Sequence, residues 1–246
     1  MISSYKEALV MLLFAHVLAD FYFQTKFIAQ KKEKNFRFVV VHSVIYGLVN
    51  LVWIKLICFE FENIYLWTII ISHFMIDALK YFIKNRKLKN EYDKYIFVVD
   101  QLLHLIILLV ICYLIIDSGK TYEYNKTILD IFNAMGLSLQ ISISFFTQLL
   151  LIHKPVNIFI VKMMQAYKPT KKDEENTIKA GRMIGTIERI IMLFFLLINQ
   201  YSSVGLVLTA KSIARYNKIA EDQEFAEYYL LGTLLSTICV LVVSLI

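Results

Sequence analysis

The stretch "LFAHVLADFYFQTKF" at residues 13–27 sets a histidine, His16, and an aspartate, Asp20, one helical turn apart in a run that otherwise suits a lipid-facing helix. Both side chains are costly in hydrocarbon, so such a run belongs to a span whose polar face looks into a protein interior. Composition supports a membrane setting. Of 246 residues, 58% are hydrophobic and 14% aromatic, with only seven Gly and two Pro, too apolar for a soluble globular domain. The first run continues through "FYF" without a small-residue cleavage site, and it reads as a retained span rather than a signal peptide.

A span needs about 20 apolar residues, and a helix satisfies its own backbone in lipid. The candidates are 5–24, 37–58, 64–83, 95–116, 134–153, 182–200 and 225–246, with "SSVGLVLTAKSIARY" at 202–216 as a short eighth span or a re-entrant segment. The expected fold is therefore an all-α polytopic transmembrane bundle of seven to eight spans. Both prolines fall between 154 and 181, where Pro155 suits the start of an amphipathic surface helix and the charged stretch after Pro169 suits a solvated linker. Three segments follow: a His/Asp-bearing bundle at 1–153, a cytoplasmic segment at 154–181 and C-terminal helices at 182–246.

Basic residues set the orientation. The connection 26–37 holds Lys26, Lys31, Lys32, Lys34 and Arg37 against Glu33; 80–94 holds six basic against two acidic residues, and 154–182 seven against three. These three are read as cytoplasmic. The connections at 58–63 and 117–130 lack a basic excess, and Trp53, Tyr65 and Trp67 flank the first as an interfacial belt. With the short element counted as a span, both termini lie outside. The same rule accounts for the net charge of +6, so no nucleic-acid partner is expected. Cys58, Cys112 and Cys239 stand far apart in apolar runs and read as small hydrophobes.

His16 and Asp20 are not alone. "SHFMIDALK" repeats the spacing with His73 and Asp77, "VDQLLHL" reverses it with Asp100 and His104, and "VVVHSVIY" adds His42. The reversal falls on the span of opposite direction, so in all three pairs Asp lies nearer the cytosol and His one turn deeper. At 1.5 Å per residue, Asp20, His42 and Asp100 each lie roughly 8 to 9 Å from the nearest basic boundary, and His16 and His104 roughly 15 Å. Residues four apart share a helix face, so the pairs can meet in a bundle interior. Three intramembrane carboxylates call for a neutralising partner, and a divalent metal (Zn, Mn or Fe) suits a mixed imidazole and carboxylate set. The candidate metal ligands are His16, Asp20, His42, His73, Asp77, Asp100 and His104, with Asp20, Asp77 or Asp100 as base toward a metal-activated water. A proton or cation pathway and a structural polar network remain alternatives for the same residues. His153 has no acidic mate nearby in sequence and is left out.

The C-terminal third carries Glu188, Arg189, Lys211, Arg215 and Glu227, readable as an interhelical ion-pair network or as an anion or headgroup pocket at Lys211 and Arg215. No Walker, GxSxG, HExxH or CxxC pattern is present.

The set "HVLADFYFQ", "HSVIY", "SHFMIDALK" and "DQLLH", followed by "GRMIGTIERII" and "AKSIARYNKIAEDQEFAEYYLLGTLLS", resembles the bacterial integral-membrane family of the domain of unknown function 3307. The His/Asp motifs resemble its defining domain and the last segment a frequent companion. The resemblance implies a bacterial inner-membrane protein and assigns no activity. Two functional classes follow from the residues: a membrane-embedded metal-dependent hydrolase of a lipid or of a phosphate or acyl ester, and a cation or proton transporter. A non-catalytic structural or partner protein is the third option. The outer halves of the first four spans offer little beyond Asn50 to continue a conduit, which favours a closed site.

Overall fold

The computed structural model describes residue 2 and residues 4–85, 92–167 and 175–246, with side chains from 181 onward in the last stretch. Arg86, Lys87 and Lys89 of the second basic connection and residues 170–174 of the charged stretch after Pro169 lie outside the described residues; from Glu175 onward the backbone is helical, where a linker to 181 was expected. Among the described residues all regular structure is helical, and the one β contact is an isolated bridge between Ile2 and Tyr122. The chain divides into two compact units, residues 1–147 and 148–246.

In the first unit, α1 (Tyr5–Val17) starts at a capping box, with Ser4 accepting from the Glu7 backbone and Glu7 reaching back to the Ser4 N–H. It continues into a wider π turn, Leu18–Tyr22, closed by Phe23 N–H to Leu18 carbonyl at 2.9 Å. The chain then bends by 85° into α2 (Lys26–Lys32), capped by Thr25. Three long helices follow, α3 (Phe36–Ile57), α4 (Asn63–Lys84) and α5 (Asp93–Asp117), then the short α6 (Lys126–Ala134).

α1 packs on α3 and α5, and α4 packs on the same two, so the four helices close a ring. Neighbours run antiparallel: Phe14 stacks on Trp53 while Asp20 meets His42, and Tyr65 reaches Leu114 while Lys80 meets Asp100. Ala8 and Ala15 of α1 and Ala19 of the π turn are completely buried, and such small residues let helices approach closely in a membrane bundle.

The second unit holds the end of α7 (Leu139–His153), α8 (Pro155–Met164), α9 (Glu175–Leu197), α10 (Tyr201–Ala214), α11 (Tyr216–Glu221) and α12 (Gln223–Ser244). Its core joins Ile152, Val156, Met192, Leu193, Val240 and Val243. Pro155 opens α8, as a first-turn proline can.

Five helical stretches are long and apolar enough to cross a membrane: Phe36–Ile57, Asn63–Lys84, Asp93–Asp117, Leu139–Tyr167 and Gln223–Ser244. The bent pair Tyr5–Tyr22 and Lys26–Lys32 makes a sixth if it counts as one span. Two expected spans fall outside this set for physical reasons. Any stretch of α9 long enough to span contains Arg182, Glu188 and Arg189, and α10 is 14 residues long, short of the ~20 that a bilayer core asks for. α7 begins at Leu139 rather than 134, because α6 ends first and Gly136 turns the chain at φ +70°.

Candidate metal centre

All seven His and Asp residues singled out above are buried in the four-helix ring: His16 and Asp20 from α1 and its π turn, His42 from α3, His73 and Asp77 from α4, Asp100 and His104 from α5. Six of them form two groups of three, Asp20–His42–His73 and Asp77–Asp100–His104, with one ligand atom from each member within 4.8 Å of the others. The histidines cluster, with His73 and His104 ring centroids 4.5 Å apart and His16 and His104 5.3 Å apart. His16 belongs to neither group; its Nδ1 lies 3.1 Å from the Tyr46 hydroxyl.

In the first group, Asp20 Oδ1 is 3.0 Å from His42 Nε2 and 3.8 Å from His73 Nε2. Ligands held at about 2.0–2.2 Å from one ion stand roughly 3 to 4 Å from each other, so these separations fit a shared cation. His73 is positioned by Tyr46, whose ring stacks on it at 3.5 Å. Neither His73 ring nitrogen has a hydrogen-bond partner, nor has His42 Nδ1. Buried polar atoms are ordinarily satisfied, so a concentration of orphaned nitrogens at one point marks a place where something else binds. The π turn puts Asp20 where the helix is wound wide, and Gln24 Nε2 takes up the Asp20 carbonyl at 2.7 Å. Such turns recur at functional sites.

The second group is built differently. Lys32 Nζ lies 2.9 and 3.0 Å from the two Asp77 oxygens, and Lys80 Nζ lies 2.7 Å from Asp100 Oδ2. His104 donates Nδ1–H to the Asp100 carbonyl at 2.8 Å, because a carbonyl can only accept. That bond turns Nε2 into the cluster, the arrangement that a second shell gives a metal-ligating imidazole; Nε2 and Asp100 Oδ1 have no hydrogen-bond partner. Gln101 Nε2 links the groups, 3.0 Å from Asp100 Oδ2 and 3.4 Å from Asp20 Oδ2.

Charge separates the two groups. Among the described residues, three carboxylates face two lysines, and Asp20 is the carboxylate that no described lysine touches. The residues the spacing argument did not single out are therefore Lys32, Lys80, Gln101 and Tyr46. Lys32 and Lys80 were readable only as loop and boundary charges. The bend after the π turn brings Lys32 back beneath the ring, and Lys80 lies one turn beyond the His73/Asp77 pair on α4.

The C-terminal charges, in the second unit, do not form one network. Lys211 pairs with Glu188 at 2.7 Å and lies over the Tyr229 ring, while Arg215 is exposed and Glu227 accepts from Gln223. The buried cation is Arg189, 3% exposed, bonded to Ser236, Asn157 and Thr186, all neutral.

No curated protein and no solved structure matches the sequence. A family model does match, over residues 8–133, slightly more than half of the chain. It takes in the whole four-helix ring save the first turn of α1, and with it every His, Asp and Lys of the cluster, while the C-terminal stretch that resembles a companion segment lies beyond it. By that match the chain belongs to the family described as protein of unknown function DUF3307.

Proposed function

We propose that this chain is a multi-pass protein of the bacterial cytoplasmic membrane, with seven spans, or with eight and both termini outside when residues 202–216 cross, that holds a divalent cation at Asp20, His42 and His73. The observation that carries this reading is the isolation of Asp20. Among the described residues it is the one carboxylate of the buried cluster without a lysine, and it faces two imidazoles whose remaining nitrogens have no hydrogen-bond partner. Two His and one carboxylate is a ligand set that leaves coordination positions open, as catalytic zinc and non-haem iron sites do. Manganese is the third candidate.

A cation there supplies Lewis acidity and a bound water of lowered pKa. The reaction class proposed is hydrolysis of a lipid or of a phosphate or acyl ester at the cytoplasmic leaflet. Asp100, with Oδ1 unpartnered, is the proton acceptor, and Lys80 and Gln101 hold its other oxygen. The test is elemental analysis of the detergent-purified protein from metal-replete growth, before and after chelation. Near-stoichiometric Zn, Mn or Fe in wild type, lost in Asp20→Asn and His73→Ala but kept in His153→Ala, supports the reading; a metal-free wild type sinks it.

A second reading has its own observation. His16, His104, His73 and His42 are successive neighbours with ring centroids 5.3, 4.5 and 5.2 Å apart, and one proton would neutralise the residual charge. That is the layout of a proton relay. It forecasts proton flux in liposomes, abolished by Asp20→Asn and indifferent to chelators.

A further inference from the structure

We infer that the outward face of α2 docks on anionic phospholipid headgroups of the cytoplasmic leaflet, an inference that rests on the membrane reading above and not on the cation. The chain bends by 85° between the π turn and α2, so α2 lies across the axis of the helix before it. A helix at right angles to a spanning helix runs along the membrane surface.

α2 is divided lengthwise. Ile28, Ala29 and Lys32 turn inward and are partly buried, with Lys32 Nζ on both oxygens of Asp77. Lys26, Phe27, Gln30 and Lys31 turn outward and are exposed, and Lys34 and Arg37 continue the exposed basic row beyond the helix. Among the described residues no carboxylate pairs with Lys26, Lys31, Lys34 or Arg37, and Glu33, the acid between them, is held by Lys84 at 2.8 Å. The outward face is left with cations alone, on the helix whose inward face supplies a counter-ion to the candidate centre.

Charge and shape choose the occupant. The orientation rule accounts for cations in this connection, but not for Phe23 and Phe27, which stand 53% and 60% exposed among them. The Phe27 ring meets Phe38 of α3 edge-on at 5.6 Å, close to Val40, Val41 and Val44, which face out of the ring of helices, and Lys31 Nζ lies 5.8 Å from the Phe27 centroid. Phenylalanines with lysines beside them suit a helix at the lipid interface: the rings enter the boundary between headgroups and acyl chains, and the lysine stems carry their charges to the phosphates. A cluster of four Lys/Arg at this place selects an anionic leaflet. A protein partner fits poorly. A helix of seven residues is about 10 Å long and 10–12 Å wide, roughly 100 Å² in outline, against the ~800 Å² per partner of a stable interface.

The experiment uses the full chain in phosphatidylcholine nanodiscs carrying a trace of spin-labelled phosphatidylglycerol or spin-labelled phosphatidylcholine, with the immobilised fraction read by electron paramagnetic resonance. Phosphatidylglycerol should associate several-fold more strongly. Lys26→Gln/Lys31→Gln/Lys34→Gln should bring the two lipids to parity, while Lys26→Arg/Lys31→Arg/Lys34→Arg keeps the preference. Lys126→Gln, on α6 beside the far end of α3, should change nothing. A preference that survives the glutamine variant, that is lost in the arginine variant or in Lys126→Gln, or that millimolar inorganic phosphate abolishes would overturn the inference. In an otherwise cysteine-free chain, a nitroxide attached through Phe27→Cys should sit about 5–10 Å into the headgroup and acyl boundary, shielded from a water-borne relaxation agent. A nitroxide through Val44→Cys marks the hydrocarbon: position 27 in water with position 44 in lipid defeats this inference alone, and both in water defeats the membrane reading. Spin–spin broadening between two copies labelled at position 27 would give the face to a second copy of the chain and overturn the lipid assignment.

Discussion

His42 Nε2 stands 3.0 Å from Asp20 Oδ1, a separation that serves either a hydrogen bond or two ligands of one ion. The two cases put the imidazole proton on different nitrogens. In the hydrogen bond, Nε2 carries it, because a carboxylate accepts. Around a cation, Nε2 must offer its lone pair and the proton moves to Nδ1. Nitrogen-15 spectra of the histidine-labelled protein should show His42 switching tautomer on addition of zinc, while His104 keeps Nδ1 protonated throughout because of its bond to the Asp100 carbonyl. An unchanged His42 spectrum would remove it from the ligand set.

A cation shared by α1, α3 and α4 exists only in the assembled ring, so it stabilises the folded state by linkage. At a hundredfold excess over Kd the gain is about 2.7 kcal/mol, which thermal unfolding in detergent reads as a raised Tm. Acidification should erase the gain, since protonated imidazole has no lone pair for a metal: the stabilisation is present at neutral pH and lost as pH falls. His16→Ala should weaken binding less than His73→Ala, because His16 lies outside both groups and hydrogen-bonds Tyr46. Equal losses would restore it as a ligand.

Lys32 and Asp77 form a pair with side chains 11% and 2% exposed. Removing one partner of such a pair leaves the other uncompensated, at a cost of about 3 kcal/mol. Lys32→Met should lower stability by that order, and Lys32→Met/Asp77→Leu should recover most of it. A double variant as unstable as the sum of its singles would show that the pair does not couple.

The histidines and aspartates were legible because spacing alone places them: four residues apart on a helix, with order reversed where direction reverses. Their partners were not. Lys32 looks like one of five basic residues in a connection, and only the 85° bend at Gln24 and Thr25, together with the π turn before it, carries it back beneath the ring. No local pattern in "LADFY" announces that turn. Residues 202–216 were ambiguous for length, and α10 is indeed short. Arg189 stood out in the sequence as a charge in an apolar run but not as the buried one, because Lys211 pairs with the adjacent Glu188 instead.

The basic connections also imply an orientation, to be tested by single cysteines in an otherwise cysteine-free chain. Position 31, on the exposed side of α2, should react with an impermeant maleimide only from the cytoplasmic side. Position 123, exposed beside the buried Tyr122, should react only from outside. Reaction of position 31 from outside would invert the bundle and move the cluster to the other leaflet.

Arg189 poses the remaining question, since its guanidinium meets Ser236 at 3.1 Å, Asn157 at 2.6 Å and Thr186 at 3.3 Å, with no carboxylate bonded to it among the described residues. Burying an uncompensated cation is unfavourable, and replacing it by an apolar side chain of similar length is often neutral or stabilising. Arg189→Met should therefore change the Tm of the purified protein little or raise it. Asn157→Leu keeps the cation and removes its shortest acceptor, and should cost on the order of 1 to 3 kcal/mol. Arg215→Ala, at an exposed position, should stay within ~0.5 kcal/mol of wild type. If Arg189→Met instead unfolds the protein while Arg189→Lys does not, the charge itself is needed, and an anion supplied from outside the described contacts becomes its partner.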